Sequence, residues 1–218
     1  MSNTDSFIEE VSEEVRRDRL YAALKRWGWV GVVVVLLAVG GASFNEWRKA
    51  QARAEAQAFG DSLLAALDTQ DMEAAADAAL AIETAQPGQE AVAKHLAAAA
   101  ALASEQTSEA LDALRAVEAN PQVSPIYRDL AAFKAALAAP QDTPAEERIA
   151  AFDAITGPFR ALAQEQKALA MIGAGDLDGA VEILRSLSDL AEATPGLRRR
   201  TSELIVALGA DIGDSDAQ

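Results

Sequence analysis

At 218 residues the chain has room for one ordinary domain and an appendage. Half of it is apolar, only 5% is aromatic and cysteine is absent, so the apolar content resides in Ala and Leu, which favours helices over sheets and excludes disulfides and thiolate metal sites. With 19 basic and 34 acidic residues and a formal charge of −15, the chain repels a phosphate backbone, and nucleic acid is not an expected partner.

The charge is uneven. The first 44 residues hold five basic and six acidic side chains, leaving 14 basic and 28 acidic beyond them. In the leader, residues 1–26, Ser6-Phe7-Ile8-Glu9 reads as a capping box, and Phe7, Val11 and Val15 recur at helical spacing. A short amphipathic cytoplasmic helix is expected, either as a docking handle or as a surface-lying extension of the adjoining apolar segment.

Residues 27–44 carry no charge, and at about 1.5 Å per residue they form roughly 27 Å of helix, close to the hydrocarbon thickness of a bilayer. Trp27 and Trp29 mark one end and Trp47 the other, the positions that membrane-interface tryptophans take. Arg16, Arg17, Arg19, Lys25 and Arg26 precede the span against Arg48, Lys49 and Arg53 after it. The positive-inside tendency therefore predicts a cytoplasmic N-terminus and a translocated remainder. A cleaved signal sequence is the rival reading, because Gly40 and Ala42 are small residues at cleavage spacing. The acidic leader and the long apolar run favour a retained anchor instead. Val32–Leu37 is apolar on every face, which argues against a core helix.

Residues 45–209 read as helices separated by short breaks. The first, over 48–68, has Ala56, Phe59, Leu63 and Leu67 on one face, and Asp71 caps a second through Met72, Ala75, Ala79 and Ile82. Pro87-Gly88 is expected to end that pair. A third helix, over 89–104, places Val92, Leu96, Ala99 and Leu102 inward, and a fourth, over 108–119, carries Leu111, Leu114 and Val117 up to a stop at Asn120-Pro121. Ser124-Pro125 opens the fifth with Ile126, Leu130, Phe133 and Leu137 on its face.

Thr143-Pro144 opens a sixth helix, with Ile149, Phe152 and Ile155 inward, and Pro158 a seventh, through Phe159, Leu162, Leu169 and Ile172. Gly173 and Gly175 punctuate a turn. Asp176 caps an eighth carrying Leu177, Val181, Leu184 and Leu187, and Thr194-Pro195 opens the last, with Leu197, Thr201, Leu204 and Leu208 inward and Gly209 as terminator. Residues 210–218 form a polar, acidic tail that is expected to be disordered.

Short turns between helices of about 12–17 residues predict antiparallel neighbours. Ala74, Ala110 and Ala180 each lie one turn into the second helix of a pair, at intervals of 36 and 70 residues, the latter close to two 34-residue tetratricopeptide periods. These alanines are expected to pack the repeats, since paired helices approach closely only where a side chain is short. Most aromatic and proline consensus positions are missing, so the expectation is a tetratricopeptide-like α-solenoid, with a plain helical bundle as the competing architecture.

No catalytic centre is legible. The single histidine, His95, lies beside Lys94 in an alanine-rich helix without further ligands in helical reach, which suits a structural role. No phosphate-binding glycine motif occurs, Gly173-Ala-Gly175 suits a turn, and Glu146-Glu147 sits in a first helical turn, where it complements the dipole. Neither an enzyme, a cofactor, a metal nor a small-molecule substrate is expected. Leu197-Arg-Arg-Arg200 is the one basic cluster in the acidic region, read as neutralising nearby carboxylates or, failing that, as a partner site.

The run FIEEVSEEVRRDRLYAALKRWGWVGVVVVLLAVGGASFNEWRKAQARAEAQAF, with the later segments SPIYRDLAAFKAAL and AGDLDGAVEILRSLSDLAEATPGLRRRTSELIVALG, resembles the YfgM-like family of inner-membrane tetratricopeptide proteins in its alphaproteobacterial form. The resemblance rests on the order of features and covers nearly the whole chain. It implies an ancillary subunit of the Sec translocon, with a periplasmic helical domain that contacts emerging client chains or periplasmic chaperones, and no catalytic residues. A membrane-tethered scaffold for another envelope complex, respiratory or division-related, is the alternative.

Overall fold

A computed structural model describes residues 3–191 and 193–211, with side chains described at Tyr21 and from Lys25 onward. The capping box at Ser6–Glu9, the Phe7, Val11 and Val15 stripe and the arginines at 16, 17 and 19 therefore have no described side chains, and the expected tail lies outside the described residues from position 212. Among the described residues there are nine α-helices and no strand: α1 (Asn3–Leu67), α2 (Met72–Leu80), α3 (Pro87–Ala103), α4 (Thr107–Glu118), α5 (Pro125–Leu137), α6 (Ala145–Asp153), α7 (Arg160–Ala174), α8 (Leu177–Asp189) and α9 (Pro195–Ala207).

The chain divides into two compact units, Met1–Ala58 and Phe59–Gln218. In the first, α1 runs unbroken through the leader and the apolar segment, because every proline of the sequence lies at position 87 or beyond and nothing earlier removes a backbone donor. The expected boundaries at 26/27 and 44/45 are thus changes of composition within one helix. α1 is the one described helix long and apolar enough to cross a membrane: its best 18-residue window has a mean hydropathy of 1.9, and none of that window is buried. Trp27, Trp29 and Trp47 are all exposed on it, and the rings of Phe44 and Trp47 lie 5.9 Å apart.

From α2 to α9, consecutive helices pack on one another in chain order, with α5 and α6 much the weakest neighbours. Local chemistry sets the starts. Asp71 Oδ1 accepts from the N–H of Glu73 at 3.0 Å and of Ala74 at 3.3 Å, Asp176 Oδ1 from Gly179 at 3.0 Å, and Thr194 Oγ1 from Leu197 at 3.3 Å. Gly175 and Gly209, at φ of 86° and 75°, turn the chain in the left-handed region where a side chain is strained. Some punctuation falls differently from the expectation. Pro87 begins α3 instead of standing outside it, Gly173 lies inside α7, and α7 starts two residues after Pro158.

The core is methyl-lined. Ala75, Ala91, Ala98, Ala110, Leu114, Val117 and Ala131 are central to one cluster that joins α2 to α5. Phe152, Ile155 and Ala163 join α6 to α7, with Phe133 of α5 and Phe159 stacked 5.9 Å apart against them. Ala168, Ala180, Leu184 and Ile205 join α7, α8 and α9. The stripes expected on α4, α8 and α9 are largely the ones that face inward: Leu111, Leu114, Val117, Leu184, Leu187, Leu197 and Thr201 are all buried.

Four stripes are corrected. Over 48–68 Ala66 is buried while Ala56 and Leu67 are exposed, and on α7 Ala163, Glu165 and Ala168 are buried while Leu162 and Leu169 are exposed. On α3 the buried residues are alanines with His95, while Ala99 and Leu102 are exposed and Val92 and Leu96 only half-buried. On α5 Ala131 and Ala136 are buried, while Ile126 and Leu137 are exposed. α3 and α5 have neighbours on more than one side, and close approach there admits a methyl group but not an isobutyl group.

The repeat-packing alanines separate in the same way. Ala110 and Ala180 are fully buried, but Ala74 is exposed, and Ala75, one position on, takes the interior place. Enlarging a close-packed alanine forces the helices apart. Ala180→Leu should lower the unfolding free energy of the detergent-solubilised protein by about 1–3 kcal/mol, whereas Ala74→Leu should change it by no more than about 0.5 kcal/mol. Denaturant unfolding of the two variants beside the parent measures both.

Candidate functional site

The bulky side chains that close packing keeps out of the core of α3 and α5 border an open cleft. Ala98, Ala99 and Leu102 of α3, Leu114 of α4, and Lys134 and Leu137 of α5 enclose about 310 Å³ of largely apolar space. Lys134 is the one charged group in this lining. Among the described residues no carboxylate comes within 4.0 Å of its ammonium group, and burial pushes its pKa below the ordinary lysine value.

A second, larger cleft of about 700 Å³ opens where α6 parts from α5, between α4, α5 and α6. Its rim carries Arg115, Arg128 and Arg148 beside Glu118, Asp129 and Glu147. Cations and acids balance, so this cleft offers no net attraction to a ligand of either sign.

His95 lies on the buried face of α3, 8% exposed. Its Nε2 is 3.2 Å from the carbonyl oxygen of Tyr127 at the start of α5, which requires the ring to donate from Nε2, and the buried Nδ1 has no partner. The histidine thus ties α3 to α5. Burial lowers its pKa first, and the ammonium of Lys134 lowers it further against the raising effect of the Tyr127 carbonyl. On its own helix, the neighbouring Lys94 is already paired with Glu90 at 2.5 Å.

Of the basic cluster at 198–200, Arg200 forms a two-pronged pair with Glu165 of α7, Nε to Oε1 at 2.6 Å and Nη2 to Oε2 at 2.7 Å. Arg198 donates to the carbonyl of Ala191 at 3.1 Å, and Arg199 is an exposed partner of Glu203 at 3.7 Å. Neutralisation of a carboxylate therefore accounts for Arg200, and Glu165, buried at 5% exposure, is the member that sequence reasoning missed. Nothing in the alanine- and glutamine-rich surroundings of Glu165 marks it, because its partner lies 35 positions away.

Gly175 serves the α7–α8 turn, and Glu146 and Glu147 stand in the first turn of α6. Among the described residues no group of three or more potential metal ligands occurs. Comparison with protein-family models, with curated proteins and with solved structures returned no significant match.

The two buried polar groups, His95 and Glu165, give separate tests. The unfolded chain takes up a proton at the ordinary histidine value of 6.5, whereas the folded state resists protonation until lower pH. The stability that neutral His95 supports is complete above that value and is lost as pH falls below it. Between pH 7.5 and 5.5 the unfolding free energy of the parent should therefore decline, and that of His95→Gln should decline less; equal slopes overturn the assignment.

For the ion pair, Arg200→Ala strands a buried carboxylate, whereas Glu165→Gln leaves a guanidinium that reaches solvent. Thermal unfolding should show the larger loss in Arg200→Ala, and adding Glu165→Gln to it should recover part of that loss.

Proposed function

We propose that the chain is a single-pass inner-membrane protein whose distal domain is a tetratricopeptide-like, non-catalytic protein-binding module. In this reading the N-terminus is cytoplasmic and the distal domain periplasmic. The module serves the Sec translocon, receiving translocated clients or periplasmic chaperones. The observation that carries the reading is the pairing, in one chain, of an exposed apolar helix with a stack of consecutive helices that leaves open clefts.

Three features support the finer parts. The excess of Arg and Lys before the apolar segment favours the orientation. The close-packed Ala110 and Ala180, 70 residues apart, suit a repeat of tetratricopeptide length. The charge of −15 opposes a nucleic-acid role and leaves proteins as the natural ligands. The loose junction of α5 with α6 departs from a regular solenoid and is where the larger cleft opens.

Crosslinking in intact membranes, with affinity purification of the full chain, should recover the translocon channel subunits, and their reproducible absence overturns that assignment in favour of another envelope complex. In the same cells, a C-terminal reporter active only in the periplasm should be active.

A further inference from the structure

The small cleft bounded by α3, α4 and α5 combines three properties that folding alone does not require. First, its walls are leucines that the chain leaves uncovered. Leu102 is 40% exposed and Leu137 46%, although Ala100 and Ala101 beside the one and Ala136 beside the other are buried. Second, its one charge is positive, in a protein of net charge −15. Third, that charge, on Lys134, has no acidic partner among the described residues, while Lys94 and Lys167 are each paired, at 2.5 and 2.6 Å, with Glu90 and Asp153.

We infer that this cleft is a docking site for an extended protein segment in which an aliphatic side chain is succeeded within a residue or two by Asp or Glu. The aliphatic group fills the space between Leu102 and Leu137, above the buried Leu114, and the carboxylate pairs with Lys134. The inference rests on the reading of the distal domain as a protein-binding module and names what one of its clefts selects.

Size and charge fix this occupant. At about 310 Å³ the cleft lies at the bottom of the roughly 300–1,000 Å³ range of small-molecule sites and accepts a side chain or two, not a packed helix. Covering apolar wall removes it from water at about 25 cal/mol per Å². The carboxylate supplies the countercharge that Lys134 lacks, and burial already depresses the pKa of that ammonium, so it gains more from a partner than a fully hydrated lysine would. The larger cleft makes the contrast in net charge: its three arginines share the rim with two glutamates and an aspartate, so an incoming carboxylate gains no net attraction there.

Fluorescence anisotropy on the full chain in lipid nanodiscs tests the site with labelled peptides capped at both termini. The parent peptide is Gly-Ser-Leu-Ser-Glu-Ser-Gly; one derivative carries Gln for Glu and another Ser for Leu. The wild-type protein should bind the parent about 3- to 10-fold more tightly than the Gln peptide, as for a partly screened charge-assisted pair, and should lose a similar factor with the Ser peptide. Lys134→Gln, at a half-exposed position that leaves the fold intact, should bind the parent and Gln peptides equally.

Equal binding of the parent and Gln peptides by wild type overturns the proposal. So does a Glu preference that survives Lys134→Gln, or a Ser peptide that binds as well as the parent. Recovery of translocon subunits is read separately. A chain that retains them without peptide selectivity refutes the cleft alone, and one that selects the peptide without them refutes the translocon assignment alone.

Discussion

Close approach of helices through alanine is the constraint on which the distal unit depends. Among the described residues, 18 of the 28 buried apolar side chains are alanine. Each contributes a single methyl group, against roughly 1.5–3 kcal/mol for a fully buried leucine or isoleucine, so such a core gains its stability from many short-range contacts between backbones brought near to one another. The ten larger side chains that do enter, Leu114, Phe152, Leu184 and Ile205 the most fully enclosed among them, fill the space that alanine leaves. Anything bulkier at the alanine positions separates the helices and removes the contacts of its neighbours as well.

Because apolar burial is dilute, the polar contacts between helices carry more of the specificity. His95 binds the first turn of α5 to α3 through the Tyr127 carbonyl, and Asn120 Nδ2 reaches Glu90 on α3 at 3.3 Å from the end of α4. Lys167 of α7 pairs with Asp153 of α6, and Arg200 of α9 with Glu165 of α7. Between α8 and α9, Thr201 Oγ1 lies 2.9 Å from Ser188 Oγ while bonding the carbonyls of its own preceding turn. These contacts have directions and partners, whereas methyl packing between alanine faces tolerates a slip along the helix axis. They fix which turn meets which.

The same constraint explains what was legible in the sequence. The apolar segment was, because Val32–Leu37 leaves no face polar. Helix starts at Asp71, Asp176 and Thr194 were, because a short polar side chain before a helix has one dominant use. The inward faces of α4, α8 and α9 were in large part, since Leu111, Leu114 and Val117, Leu184 and Leu187, and Leu197 and Thr201 recur at helical spacing. On α3, α5 and α7 the period of the large residues pointed to the wrong face: the buried stripe there is marked chiefly by alanine and not by the larger hydrophobic side chains. The exposed Ala74 beside the buried Ala75 is the same error over a single residue. At the site, Lys134 reads in sequence as one more solvated lysine, and only the fold sets it among Leu102, Leu114 and Leu137.

Two kinds of uncovered apolar surface result, and their chemistry separates them. Val30–Phe44 has no charge on any face and is flanked by tryptophans whose indoles combine an apolar ring with one donor, so the medium that satisfies it is apolar all round and bounded by a polar interface. Leu102 and Leu137 form a surface too small for lipid, interrupted by a cation that a bilayer interior would penalise. Scattered exposed leucines need no explanation in an ordinary domain. Here they are the residues that an alanine-packed core rejects, gathered from two helices onto one cleft, and a partner that covers them must bring an apolar group and an acid together.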